Sequence, residues 1–288
     1  MRAVFILFVF LSFLDARFLK TDLFLLTKKS QKLKNIGILG KTSTLLIKTD
    51  IKNLKVTFKN RSYPLIKIKK DEYVVFIPVK YREKTGDYRI FFTAENFKKG
   101  KFFRIKKGNY KKENLKVDPK KVTLSKKDKK RVLMEYKEAM KIYNSTRKII
   151  LWRKKFIPPL KTPITSAFGN ARVFNSSLKS YHGGSDFRAK MNTKIKAAND
   201  GIVSLAKDRF YAGKSVIIDH GYGIYSCYYH LNHIKVKRFQ KVKRGEIIGL
   251  SGRSGRVTGP HLHFAMRVNG VQVDPLQMLK SLNYISSL

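Results

Sequence analysis

At 288 residues the chain exceeds the roughly 100–200 residues of a typical domain, so two globular units are expected. Hydrophobic residues make up 43% and aromatics 12%, which excludes a chain left disordered for want of a core. The formal charge of +44, from 63 Lys and Arg against 19 Asp and Glu, implies attraction to polyanions; nucleic acid, anionic lipid and a carboxylate-rich wall polymer all satisfy it, as does plain enrichment of lysine on solvated faces.

The chain opens with Arg2 and the apolar run Ala3–Leu14. That length predicts an export signal over residues 1–16, cleaved after Ala16, because it falls short of the roughly 20 residues that span a bilayer. Left uncleaved, the leader would make a peripheral or transient membrane contact; a buried N-terminal strand is the structural alternative. The single cysteine, Cys227, rules out an internal disulfide, so a metal site would have to use histidine and carboxylate groups.

From about residue 20 to 106, period-two rows are broken by turn residues. Leu54, Val56 and Phe58 form one row, Tyr73, Val75, Ile77 and Val79 another, and Tyr88, Ile90 and Phe92 a third, after a turn at Thr85–Gly86–Asp87. Short strands at this spacing predict a small β-sandwich-like domain over 17–110. A linker and connector helix follow over 111–150. Within them Ser125 and Asp128 give a capping-box-like start, and Val132, Leu133, Tyr136, Ala139, Met140 and Tyr143 form an apolar stripe at helical spacing.

After Pro158, Pro159 and Pro163 the character changes, and thirteen of the eighteen glycines fall between Gly169 and Gly270. Turns this frequent between short apolar runs predict a compact all-β domain over 151–288. In the run His261–Met266, alternation sends Leu262, Phe264 and Met266 into a core and leaves His261 and His263 together on the opposite face. His182 and Asp186 stand four positions apart with Gly183 and Gly184 between them, and His230 follows a strand-like run at Tyr225–Tyr229. Histidine and carboxylate ligands suit zinc, and three of them leave a fourth position for water. Singly these signals are weak, since an HxH pair is commonly structural and HxxxD arises by chance.

In their order and local sequence, HxGxD at His182–Asp186, YxHL at Tyr228–Leu231 and GRVTGPHLHF at Gly255–Phe264 resemble the lysostaphin or LytM-type zinc endopeptidases, in the Gram-negative form that carries an N-terminal β domain. The resemblance runs from about Phe156 to Leu279 and takes in ITSAFG at Ile164–Gly169 and VKRGEIIGLSG at Val242–Gly252. It implies a mainly β protein whose C-terminal unit is an all-β LytM-type (duplicated hybrid motif) catalytic domain. It also implies one Zn2+ per chain held by His182, Asp186 and His263, with His230 and His261 as catalytic residues. Asn192 stands where the family usually has glycine, and asparagine tolerates positive φ better than most residues. His220 and His233 match no ligand position and are read as a turn or core residue and a surface residue. VKRGEIIG also resembles the hammerhead turns of biotin and lipoyl carrier domains, which need a modified lysine and no zinc cluster.

The resemblance implies a peptidoglycan hydrolase that cuts peptide cross-links through metal-activated water, as a D,D-endopeptidase on D-Ala to diaminopimelate bonds with D,D-carboxypeptidase action as an addition. Its partners would be peptidoglycan stem peptides and cross-links and no nucleic acid, in the periplasm or cell envelope. The alternatives are a non-catalytic LytM-type scaffold that binds wall or activates amidases, and a polyanion-binding protein. The N-terminal unit is larger than a tether needs, and whether it covers the zinc cleft until moved aside stays open at this level. Oligomeric state, and which of His230 and His261 is the general base, stay open at this level.

Overall fold

The structure, a computed structural model, describes residues 22–25, 36–115, 124–174 and 178–286. The expected leader and its cleavage point lie outside the described residues. Among the described residues no helix is long and apolar enough to cross a membrane.

The N-terminal unit comprises β1 (Asp22–Leu25), β2 (Ile36–Ile38), β3 (Thr42–Lys48), β4 (Lys55–Phe58), β5 (Arg61–Tyr63), β6 (Ile66–Lys69), β7 (Glu72–Pro78), β8 (Gly86–Ala94) and β9 (Phe97–Lys106). They make a four-stranded sheet in the order β1-β3-β7-β6 and a five-stranded sheet in the order β2-β9-β8-β4-β5. The expected rows supply the filling between them: Val56 and Phe58 from β4 and Ile90 and Phe92 from β8 meet Leu45, Ile47, Val75 and Ile77 from the facing sheet. This is the sandwich read from the alternation.

β7 departs from that reading. Val75 and Ile77 point into the sandwich as expected, yet Val74 and Phe76 are buried as well, in one core with Trp152, Phe156, Phe264 and Met278 of the C-terminal unit. The strand is therefore covered on both faces, and the sandwich is docked on the rest of the molecule. Gln277 holds the junction with both ends of its amide, accepting from Thr42 N at 2.9 Å and donating to Thr42 O at 3.0 Å.

Next come β10 (Lys112–Leu115) and α1 (Lys126–Tyr143). Ser125 caps the helix, its hydroxyl accepting from Asp128 N at 3.1 Å, as the sequence signature predicts. The stripe is only half used. Ala139 and Tyr143 are buried, whereas Leu133 and Tyr136 are 52% and 57% exposed, so the C-terminal half of the helix packs and the N-terminal half overhangs.

The C-terminal unit comprises β11 (Ile164–Ser166), β12 (Ala171–Phe174), β13 (Leu178–Tyr181), β14 (Ser185–Arg188), β15 (Lys194–Lys196), β16 (Gly201–Lys207), β17 (Lys214–Asp219), β18 (Ile224–Ile234), β19 (Lys241–Val242), β20 (Ile247–Ser251), β21 (His261–Val268), β22 (Val271–Val273) and α2 (Pro275–Ile285). The spine of its large sheet runs β11-β14-β21-β18-β17-β16-β19, and β10 joins β12 and β13 in a separate three-stranded sheet. One face of the spine supplies Leu262, Phe264 and Met266 to the main core. The opposite face, through Leu205, Ile217, Tyr225, Cys227 and Ala265, is covered by Ala139 and Tyr143 of α1. That cover stops short, and beyond it the same face is open as a cleft.

Candidate metal centre

The open end of the sheet face carries the predicted ligands because of register. Asp186 on β14 stands directly opposite His263 on β21, and Ser185 and Phe187 stand opposite Phe264 and Leu262. Opposite partners share a face, so Asp186 and His263 meet on the cleft side while their neighbours enter the core. His182, just before β14, is tied to the neighbouring loop by its own amide donating to Asn170 O at 2.8 Å and by its carbonyl accepting from Gly169 N at 2.8 Å. Gly184 makes the close approach feasible: a Cβ there would lie 2.5 Å from His263 Nε2.

His182 Nε2, Asp186 Oδ1 and His263 Nδ1 converge, with separations of 3.0, 3.0 and 2.8 Å. Three donors at about 2.0–2.1 Å from one tetrahedral ion would stand roughly 3.3 Å apart, so these residues fit a zinc-sized cation after adjustments of a few tenths of an ångström. Hydrogen bonding favours the same conclusion. A carbonyl can only accept, so the contact of His182 Nδ1 with Ala167 O at 2.9 Å puts the proton on Nδ1 and leaves the Nε2 lone pair facing the cleft. Among the described residues this is the group of His, Cys, Asp and Glu side chains placed to hold a metal ion. Burial pushes His263 down to about 4, against the raising effect of Asp186. Burial alone would raise the Asp186 carboxyl, but hydrogen bonds with His182 and His263 outweigh it and hold that group well below the usual carboxylate range. A neutral imidazole beside an ionised carboxylate is the form in which both ligate.

The two remaining predicted histidines border the same cleft. The His230 and His261 ring centroids are 4.9 Å apart, and His261 Nε2 lies 3.7 Å from Asp186 Oδ1. Strict alternation along β18 would send Tyr229 and His230 to opposite faces. His230 has φ +64°, a left-handed kink with a register shift beside it, and both rings end up against His263, at 5.4 and 5.8 Å. His230 Nδ1 faces Ser254 O and His261 Nδ1 faces Gly259 O, each at 2.8 Å, so each neutral ring carries Nδ1–H and offers Nε2 as an acceptor. Burial, reinforced by the neighbouring His263 and His261, pushes His230 well below the ordinary imidazole value.

Two supporting residues escaped the sequence reading. Arg172 donates to Asp186 Oδ2, the oxygen facing away from the histidines, at 2.9 Å, and to Glu113 Oε2 at 3.1 Å. Glu113, on β10, also accepts from the Ser166 hydroxyl at 2.8 Å and from Asn170 Nδ2 at 2.6 Å, and that same hydroxyl lies 3.0 Å from His182 Nδ1. A lone glutamate in a lysine-rich stretch gives no periodic signal; Arg172, in GNARVF, lay inside the resemblance but at no ligand position. From the other side, Tyr143 OH of α1 meets Tyr229 OH at 3.0 Å, and the Tyr229 ring stacks on His263 with an interplanar angle of 3°.

The cleft has a volume of about 750 Å3. Glu113, the overhanging part of α1, Arg256 and the Val257–Pro260 turn wall it, and among the described residues none from the sandwich strands does. β10 and α1 supply that wall. Elsewhere, Asn192 takes φ +64°, as its place in the glycine-type turn requires. His220 is fully buried between Asp200 O and the Ser226 hydroxyl, both at 2.7 Å, and His233 is exposed, in line with the roles read for them.

Comparison with known proteins finds likeness to one peptidase family. Residues 180–275 match the profile of Peptidase family M23. That segment, about a third of the chain, is where the likeness to M23 peptidases lies. Similar relatives include the peptidoglycan DD-endopeptidase ShyA of Vibrio cholerae, 45% identical over 33% of this chain and 22% of the relative. The DD-carboxypeptidase/endopeptidase Mpg of Neisseria meningitidis is 34% identical over 42% of this chain and 28% of the relative. The chain thus spans less than a third of the length of these curated relatives. A solved Pseudomonas aeruginosa protein assigned to peptidase M23 has a TM-score of 0.68 at 24% identity, covering 84% of this chain and 94% of that one. At that identity the likeness concerns the fold alone, and its coverage reaches beyond the M23 segment into the N-terminal sheets.

Proposed function

We propose that this protein is a zinc-dependent hydrolase of peptidoglycan peptide cross-links, a D,D-endopeptidase with D,D-carboxypeptidase action on uncross-linked stems, working in the cell envelope. The observation that carries the reading is the convergence of His182 Nε2, Asp186 Oδ1 and His263 Nδ1 within 3.0 Å of one another beside two further histidines. The names of the M23 relatives supply the substrate class. A zinc ion held by those three side chains supplies a Lewis acid and a water with pKa of about 7.

The chain's own groups do the rest. His230, kept neutral by burial and by its imidazole neighbours, accepts a proton at Nε2 while Ser254 O holds its ring through Nδ1. His261, held through Nδ1 by Gly259 O, presents Nε2 to the same space and, once protonated there, donates to the oxyanion or to the departing amine. Both histidines and the ligand set are intact, which favours an enzyme over a wall-binding scaffold.

Replacing His182 or His261 by alanine tests this on purified sacculi. The expected result is loss of muropeptide release in both variants, with loss of bound zinc in His182→Ala only. Full release by either variant would overturn the assignment, and a wild-type protein purified without tightly held zinc would favour the scaffold.

A further inference from the structure

A second cavity, of about 820 Å3, lies where the sandwich, α1 and the β21–β22 hairpin meet. Its cations are Arg61, Lys80 and Arg82 from the sandwich and Arg267 from β21, and no acidic residue lines it. Tyr136, Tyr181, Arg267 and Gln272 line both this cavity and the metal cleft, so the two form one trough with Arg267 at the join.

Several cations elsewhere near this face are matched by carboxylates, although Arg209 donates to the Glu135 carbonyl oxygen instead. Arg172 has Glu113 and Asp186, Arg131 has Glu135 and Asp208, and Lys207 has Glu138. Among the described residues, none of the four cavity cations forms such a pair. Arg267 is only partly exposed, yet its contacts are neutral: Gly270 O at 3.1 Å, Gln272 Oε1 at 3.3 Å and the Tyr143 ring at 4.3 Å. A guanidinium withdrawn from water without a counter-charge is costly, and an anion from outside would relieve it. Beside it, Tyr81 stacks on Tyr181 with centroids 4.0 Å apart, and Arg82 lies over the Tyr181 ring at 5.9 Å, a flat aromatic surface flanked by charge.

We infer that this cavity is a carboxylate-binding subsite of the metal cleft, seating an acidic stretch of the peptide substrate while the scissile bond lies among the histidines. The inference rests on the proposed peptidase activity and extends it, because the sandwich then supplies part of the substrate-binding surface. Arg61, Lys80 and Arg82 bring positive charge to one end of the trough and Arg267 carries it toward the metal, so an extended peptide with several carboxylates fits this polarity.

The test uses the full chain and a soluble cross-linked muropeptide dimer, either with free carboxylates or with those carboxylates amidated. Lys80→Gln/Arg82→Gln is compared with Lys98→Gln/Lys99→Gln, which removes the same charge from exposed positions on β9. For the cavity pair we expect KM on the free dimer to rise about fivefold to tenfold, with kcat within about twofold and zinc content unchanged. The β9 pair should leave KM unchanged, and the amidated dimer should not distinguish the cavity pair from wild type. An unchanged KM in the cavity pair, or an equal rise in both pairs, overturns the subsite. Failure of the wild-type protein to cleave either dimer would instead sink the peptidase reading; calorimetric binding of the free dimer to the same variants then decides the subsite by the same comparison.

Discussion

Arg172 grips the one oxygen of Asp186 that the histidines do not use, and Glu113 in turn fixes Arg172. Hydrogen bonds with Asn170, Ser166 and Arg172 hold the Glu113 carboxyl below its ordinary value against the raising effect of burial, so it stays ionised and the pair keeps its charge-assisted geometry. Groups that orient metal ligands in this way typically account for about tenfold to a hundredfold in metal affinity. Glu113→Gln is therefore expected to weaken zinc binding by about tenfold or more in chelator competition, with Asp186 still present; unchanged affinity would show that Glu113 does not position the site. His220 offers a separate test. Burial lowers it from 6.5 to about 4, so below pH 6.5 the unfolded chain takes up a proton that the folded chain refuses until about pH 4. Stability from this residue is thus present near neutrality and lost as pH falls through that window, by roughly 2 kcal/mol between pH 7 and pH 5. Urea unfolding should show His220→Asn less sensitive to acid than wild type by about that amount, and equal acid sensitivity would rule the account out.

At the scale of single elements, what the sequence revealed followed periodicity and local chemistry. The β21 alternation sorted His261 and His263 from Leu262, Phe264 and Met266 because a strand has period two, and Ser125 with Asp128 marked the start of α1 because capping is local. His230 was placed in the cleft, but the means, a positive φ on a non-glycine residue, leaves no trace in composition. β10 was invisible for another reason. It pairs with β12 alone in its sheet and turns Glu113 toward a polar cleft, so it has no apolar row to display. The apolar stripe of α1 correctly signalled packing, yet it could not show that the first turns would hold to the C-terminal unit by ion pairs while Leu133 and Tyr136 stay exposed.

Across the whole molecule, the docking of the sandwich was the feature least legible. Tyr73–Val79 reads YVVFIPV, an unbroken apolar run in place of an alternating one, and such runs belong to strands covered on both faces. That was the available signal; which surface would cover the second face depended on residues more than seventy positions away, from Trp152 to Leu282. α1 likewise shields the sheet face opposite the main core. A chain beginning at Phe156 would expose that face and lose the fully packed Tyr143, a change of the kind that costs about 3–5 kcal/mol, so its Tm should fall by roughly 10 °C or more. Thermal unfolding of the shortened and full chains checks this, and equal midpoints would mean that the C-terminal unit stands alone.

Glu113 lies well ahead of 180–275, the stretch shared with the M23 relatives. Grafting only that stretch onto an M23 relative would transplant the three proposed ligands and leave behind both Arg172, which holds Asp186, and the acid that steadies it. Chimaeras spliced at the limits of sequence likeness should therefore inherit the proposed ligands while depending on whatever arginine and carboxylate the host offers in place of Arg172 and Glu113, and the natural splice point lies before residue 112.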